Sequence, residues 1–159
     1  YSGNSIYQEH SASSTRVAYD RTTLKHVGTN DRTVLKTLPA IPVEYVAGAG
    51  KEIRVEIFGT VTSVNRGSDI RVRIGSITTP LAFTPTTVAE TFTVEMSLLE
   101  VQGGHRVFGT LTQGTTASRV GNAGGVLDVT TDQEITIDTL LTDTSNVMTI
   151  YRVNTYLVG

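Results

Sequence analysis

The side chains that could carry out chemistry are few and scattered along this chain. There is no cysteine, and the three histidines, His10, His26 and His105, lie far apart in sequence. None of them has a partner at the short spacing typical of metal ligands. A zinc site needs several converging nitrogen, sulfur or oxygen ligands, and a nucleophilic serine needs an elbow motif that is absent here. We therefore predict no metal site and no serine nucleophile.

Carboxylates are the remaining candidates, because a glycosidase needs two of them facing each other. Six acidic residues occupy polar positions of alternating segments, where a solvated sheet face is the simpler interpretation: Glu52, Glu56, Glu95, Asp128, Glu134 and Asp138. Residues 120–151 hold five acids and no lysine or arginine, but the ligand spacing of a calcium-binding loop is missing. The glycine-rich segment 48–51 lacks the residues and the helix of a phosphate-binding loop. The sequence thus predicts no enzyme activity, no catalytic residue and no cofactor.

Composition narrows the class of protein further. With 159 residues and 38% hydrophobic residues, the chain is long enough for one domain with a real core. The formal net charge is −2 and no long basic run occurs, which disfavours nucleic acid as a partner. No apolar stretch is long enough to cross a membrane and no secretory signal is visible.

Strand patterns follow one another from residue 33 to residue 159. Segment 51–63 places Ile53, Val55 and Ile57 on one face and charged residues on the other, as expected for a strand with one wet side. Two alternating runs flank the pair Gly103–Gly104, a strong hairpin signal, and 114–125 is predicted to be a glycine-rich surface loop. About nine strands and no convincing helix indicate an all-β sandwich or barrel.

The last predicted strand, 147–158, is apolar on both faces. Either it is central in a sandwich, or another subunit covers its second face, and we favour the second explanation. The side chains assigned to that subunit interface are Met148, Ile150, Tyr151, Val153 and Tyr156.

Residues 1–32 differ from the rest of the chain. They are polar, rich in serine and without a sustained period, yet they contain three of the six tyrosines. Tyrosine is enriched where proteins dock on one another. The segment is either a loose terminal tail or an extended N-terminal docking arm, and we predict the arm. Its expected contact residues are Tyr7, Arg16, Tyr19 and Arg21.

The central segments are similar to a repeated pattern in phage virion proteins. The pattern has an apolar-proline segment at 38–42, a G-K-x-I-R strand at 50–54 and a Phe-Gly-Thr end at 58–60, followed by strands matching 70–75 and 92–95. It resembles the jelly-roll, tumour-necrosis-factor-like domains of tailed-phage capsid decoration proteins, head fibres and tail-fibre tips. The resemblance covers about residues 33–159 and implies an antiparallel two-sheet jelly-roll sandwich, a homotrimer, no enzyme activity and a place on the virion surface.

Two functions follow as expectations. The first is a structural virion protein: a capsid decoration or cement protein that forms trimers on the phage head, with the arm 1–32 lying on the major capsid protein or other virion proteins and the domain 33–159 as its body. The alternative is a receptor- or glycan-binding tip domain of a tail or head fibre. The body has few exposed aromatic positions, which argues against a dedicated lectin.

Overall fold

The structure, a computed structural model, describes residues 14–43, 50–101 and 104–159. Tyr7 and the rest of 1–13 therefore lie outside the described residues. Within the described part the elements are eleven β-strands, in chain order β1 to β11: Ser14–Asp20, Leu24–Val27, Arg32–Ile41, Glu52–Ser63, Asp69–Ile74, Ile77–Ala82, Thr86–Val101, Gly104–Gln113, Thr116–Gly125, Gln133–Leu140 and Val147–Val158. No helix of this part is long and apolar enough to span a membrane.

The strands form two antiparallel sheets. The larger sheet has seven strands in the order β1-β11-β4-β7-β8-β9, with β2 also paired to β11, and the smaller has four in the order β3-β10-β5-β6. The apolar faces of both sheets contribute to a single buried cluster. The all-β, two-sheet antiparallel sandwich predicted from the sequence is thereby confirmed.

The core follows directly from the alternation of side chains along the strands. On β4, Ile53, Val55 and Ile57 are buried, and the residues between them point to the opposite side of the sheet. Because successive side chains of a strand alternate between the two faces, one face of the larger sheet packs on the smaller sheet. We call the opposite side the outer face.

A bulge in β11 explains why this strand looks apolar on two sides. The register with β4 shifts between Ile150 and Arg152, so that Met148 and Ile150 before the bulge share the inward face with Val153 after it. An extra residue in a strand reverses which positions face the core. The strand is also internal to its sheet, with β4 on one edge and β1 and β2 on the other.

Part of the predicted arm belongs to the sandwich. β1 pairs with residues 153–158 of β11 and β2 with residues 147–150, so segment 14–27 adds two strands to the larger sheet. Asp20, the last residue of β1, forms an ion pair with Lys36 on β3. That contact, together with a hydrogen bond from the Thr22 amide, lowers the pKa of Asp20 to about 2. The segment 114–125, predicted as a loop, instead contains strand β9.

Candidate binding face

The outer face of the larger sheet brings polar and aromatic side chains together. Its central strand β4 contributes Arg54, Glu56 and Phe58, which alternate with the buried residues. The register places Asn154 of β11 on one side of Glu56 and Glu95 of β7 on the other. We call these three residues, Asn154, Glu56 and Glu95, the acceptor row, because each presents a side-chain oxygen that can accept hydrogen bonds.

Few hydrogen-bond donors reach the acceptor row. Glu56 and Glu95 face each other across neighbouring strands, an arrangement of like charges that is unfavourable. Neither forms an ion pair with any side chain that the structure describes. Asn154 is only 5% exposed, and its Oδ1 has no hydrogen-bond donor among the described residues. The row therefore has acceptor capacity that the described part of the chain leaves unfilled.

Tyr156 is a hydrogen-bond donor beside this row. It lies on β11 beside Arg54, in the row next to Glu56. Burial raises the pKa of the Tyr156 hydroxyl, and the charge of Glu56 and a hydrogen bond to Glu56 raise it further. The hydroxyl thus stays protonated and donates to Glu56, which leaves the second carboxylate, Glu95, without this support.

Two arginines on the strands that carry Glu56 and Asn154 have other contacts. Arg54 donates to Glu52 with an Nη2–Oε1 distance of 3.2 Å. The Arg152 guanidinium lies 4.2 Å from the centroid of the Phe58 ring, within the range of a cation–π contact. The Arg152 Nε is buried without a hydrogen-bond partner. The outer face therefore combines carboxylates, an amide, guanidinium groups and aromatic rings within neighbouring rows.

The predicted subunit-interface residues divide into two groups. Met148, Ile150 and Val153 are buried in the core of a single chain, so the alternative in which β11 is internal accounts for their apolar character. Tyr151 is 50% exposed at the bulge, and Tyr156 is half-buried on the outer face. For these two tyrosines, a subunit contact stays a prediction.

The predicted arm residues that the structure describes cluster around one ring. The Arg16 guanidinium lies 4.3 Å from the centroid of the Tyr19 ring and that of Arg21 lies 5.6 Å from it. Tyr19 is exposed and stands opposite Asn154 in the register of β1 and β11. These residues therefore border the outer face, and their contact with another protein stays a prediction.

Asp138 departs from the prediction of a solvated sheet face. It is 1% exposed and accepts hydrogen bonds from Arg71 Nε and Arg32 Nη1, both at 2.8 Å. Arg32 also makes a bidentate contact with Asp69, at 2.8 and 2.9 Å. This ion-pair network joins β3, β10 and β5 of the smaller sheet. Among the described residues, no group of histidines and acids could hold a metal ion.

The two described histidines lie in separate places, and His10 is outside the described residues. His105 is buried, and its Nδ1 accepts a hydrogen bond from the Leu127 amide at 3.2 Å. His26 lies on the edge strand β2 with a buried Nε2 that has no partner. Burial lowers the pKa of His26.

Acidification is expected to destabilise the fold through His26. Its folded-state pKa lies below the ordinary histidine value of 6.5, so the folded state binds a proton less readily than the unfolded chain. The contribution of neutral His26 to the free energy of unfolding is fully present above the pKa of the unfolded chain. It is lost as the pH falls through the folded-state pKa. The slope of unfolding free energy should stay below the limit of about 1.4 kcal/mol per pH unit for one proton.

Denaturant unfolding of the native chain and of His26→Phe between about pH 8 and pH 5 measures this effect. The phenylalanine variant removes the titration and keeps an apolar ring, so its stability should fall less on acidification. Equal falls in both proteins would contradict a role for His26.

The sequence pattern places Glu56 and Glu95 on a solvated sheet face and gives no signal for Asn154. Both glutamates occupy polar positions in the alternating segments 51–63 and 91–101, and this alternation is the sequence signal that could have identified them. Their alignment with Asn154 depends on the register of three strands and on the bulge in β11, and neither can be read from local sequence.

Comparison with known proteins supports the fold. No family model matches the chain, and no curated protein matches it. Among solved structures, lectin I from Ulex europaeus in complex with the methyl glycoside of α-L-fucose is similar over 91% of this chain and 92% of that one, with 9% identity and a TM-score of 0.53. Lectin I-B4 from Griffonia simplicifolia in its metal-free form has 6% identity and a TM-score of 0.44, with 96% of each chain covered. Neither of these two structures is a phage virion protein, and the resemblance to phage virion proteins stays a prediction.

Proposed function

We propose that this chain is a non-catalytic carbohydrate-binding module that binds saccharide on the outer face of its larger sheet. The observation that carries the proposal is the acceptor row, Asn154, Glu56 and Glu95, with the aromatic residues Phe58 and Tyr156 in the neighbouring rows. In this proposal the module is the receptor- or glycan-binding part of a surface structure such as a phage fibre.

The chemistry of a saccharide fits such a face. Its hydroxyl groups donate hydrogen bonds, and carboxylate and amide oxygens accept them. Its C–H faces pack on aromatic rings, and on this face Phe108 is 45% exposed, two residues along β8 from the residue that pairs with Glu95. Binding would give the unfilled acceptors partners without any bond being broken.

The likeness to the Ulex europaeus lectin supports the proposal only through the fold. That lectin is in complex with a methyl glycoside, which is an example of a similar sandwich that binds a sugar. The identity of 9% transfers no residue from it. The site is argued from the side chains of this chain alone.

Replacing Phe108 by serine is expected to weaken saccharide binding about tenfold, which corresponds to about 1.4 kcal/mol of lost contact. The ring is exposed, so the fold should be retained. Val126→Ser is the matched control, because Val126 is 74% exposed after β9 and far in register from the acceptor row. A glycan array followed by calorimetric titration of the best hit measures both variants.

An array without a saturable hit would refute the proposal. Equal affinity of the native chain and the Phe108→Ser variant would remove the ring from the site.

A second candidate is a structural virion protein, a homotrimeric capsid decoration or cement protein that binds the major capsid protein at the capsid surface. It is favoured by the exposed aromatic residues Tyr151 and Phe108, which a neighbouring subunit could cover, and by the sequence resemblance. Sedimentation of the isolated chain and its copy number on particles distinguish this function. A monomer at micromolar concentration would count against it.

A further inference from the structure

We infer, on the basis of the proposed carbohydrate function, that the saccharide carries a primary ammonium group, as a hexosamine with a free amine does, and that Glu56 and Glu95 hold this group. The inference specifies the charge of the ligand, which the proposed function leaves open.

The first observation is the pair of carboxylates. Glu56 and Glu95 are direct register partners on β4 and β7, and both lie on the outer face. Side chains in such positions have Cβ atoms about 5 Å apart, and like charges there repel each other. An ammonium group between the two carboxylates turns this repulsion into two charge-assisted hydrogen bonds.

The second observation is the unsatisfied amide of Asn154. This residue is 5% exposed and stands next to Glu56 in the register, and no residue that the structure describes donates to its Oδ1. An ammonium group has three N–H donors and no acceptor. It therefore matches a row that consists of acceptors better than a hydroxyl group does, since a hydroxyl donates only once.

Among the described residues, the positive charges nearest this row have other contacts. Arg54 is bonded to Glu52 and Arg152 lies over the Phe58 ring. Arg16, opposite Tyr156 in the register of β1 and β11, lies over the Tyr19 ring. The ring of Tyr156, in the adjoining row, also favours a cation nearby because aromatic faces carry negative potential. A calcium ion is a poorer match, because it takes six to eight oxygen ligands and the row offers two carboxylates and one amide.

The test uses β-1,4-linked oligosaccharides of equal length that differ only at C2: glucosamine, N-acetylglucosamine and glucose. The glucosamine oligomer is expected to bind at least about tenfold more tightly than the other two, as two charge-assisted hydrogen bonds imply. Added salt should weaken this preference, because exposed charges are screened.

The double variant Glu56→Gln/Glu95→Gln keeps the shape of both side chains and removes their charge. It should bind the three oligomers with similar affinity, with its thermal unfolding temperature unchanged or raised because the repulsion is gone. Glu134→Gln is the matched control, since Glu134 is an exposed carboxylate on β10 of the smaller sheet. The control should keep the full preference for glucosamine.

Different outcomes test the ammonium inference and the carbohydrate function separately. Saturable binding of all three oligomers with equal affinity, unaffected by the double variant, would overturn the ammonium inference and leave the carbohydrate function standing. Binding that a chelator abolishes would overturn it in favour of a metal ion. Binding of neither these oligomers nor any other saccharide on the array would overturn the carbohydrate function itself.

Discussion

Replacing Gly59 with alanine is expected to lower the free energy of unfolding by about 3 kcal/mol, the upper range for overpacking a core. A Cβ atom at Gly59 would lie 2.3 Å from the backbone oxygen of Thr149 and 2.7 Å from Cε1 of Phe92. The Thr149 oxygen belongs to β11, which is paired with β4 along most of its length. It therefore cannot move away without a change in the strand pairing.

Gly109→Ala is the matched control for this prediction. Gly109 is also a buried glycine within a strand of the larger sheet, and its nearest neighbour would be Cε of Met96 at 3.2 Å. A methionine side chain is flexible and can rearrange, and the loss of glycine reduces the entropy of the unfolded chain. We expect a change below about 1 kcal/mol for this variant. Denaturant unfolding with a common slope compares the two.

Adding Phe92→Leu to Gly59→Ala tests the cause of the loss. Phe92 packs edge-on against Phe83, with ring centroids 5.2 Å apart, and leucine removes the Cε1 atom from the contact. The oxygen of Thr149 remains, so the double variant should not recover native stability. Equal stability of Gly59→Ala and Gly109→Ala would show that the close approach of β4 and β11 at Gly59 is unimportant.

Local alternation was sufficient to predict the central strands of this fold. The pattern of 51–63 identifies β4 and assigns Ile53, Val55 and Ile57 to the core, as the structure has them. Alternation is a property of the strand itself. The predicted alternation of β4 therefore holds whichever strands pair with it.

The edge strands and the strand β9 could not be predicted in the same way. β2 has four residues, and β1 pairs with a register shift between Arg16 and Ala18. Their pairing depends on β11, which is distant in sequence, and short strands carry little periodic signal. For β9, the glycines suggested a loop, whereas pairing with β8 holds the segment in a strand.

The outer face shows the limit of sequence reasoning about a site. Polar positions for Glu56 and Glu95 follow from alternation, but the row that they form with Asn154 requires the tertiary register. The apolar residues of β11 occupy two faces only if the strand alternates strictly from end to end. The bulge at Tyr151 reverses which positions face the core, and it cannot be seen in the sequence.

Asp138→Asn is expected to lower the free energy of unfolding by about 3 kcal/mol, because it removes the charge shared by two arginines at a buried site. Asp138 is 1% exposed and receives hydrogen bonds from Arg32 and Arg71 on the strands at either side of β10. The amide group of asparagine would present donors to guanidinium groups that have no acceptor capacity. The arginines keep partial contact with water, which places the loss at the lower end for a broken buried ion pair.

Asp128→Asn serves as the control, since Asp128 is exposed and its carboxylate accepts hydrogen bonds from Thr130 in the same turn. The free energy of unfolding of this variant should stay close to that of the native chain, because exposed charges contribute little to stability. Replacing the whole ion-pair network, with Arg32→Met, Arg71→Met and Asp69→Asn added to Asp138→Leu, should cost less than Asp138→Leu alone, because no unpaired charge of the network remains. A larger cost for this quadruple variant would mean that the arginines stabilise the smaller sheet by packing, and that their charge contributes little.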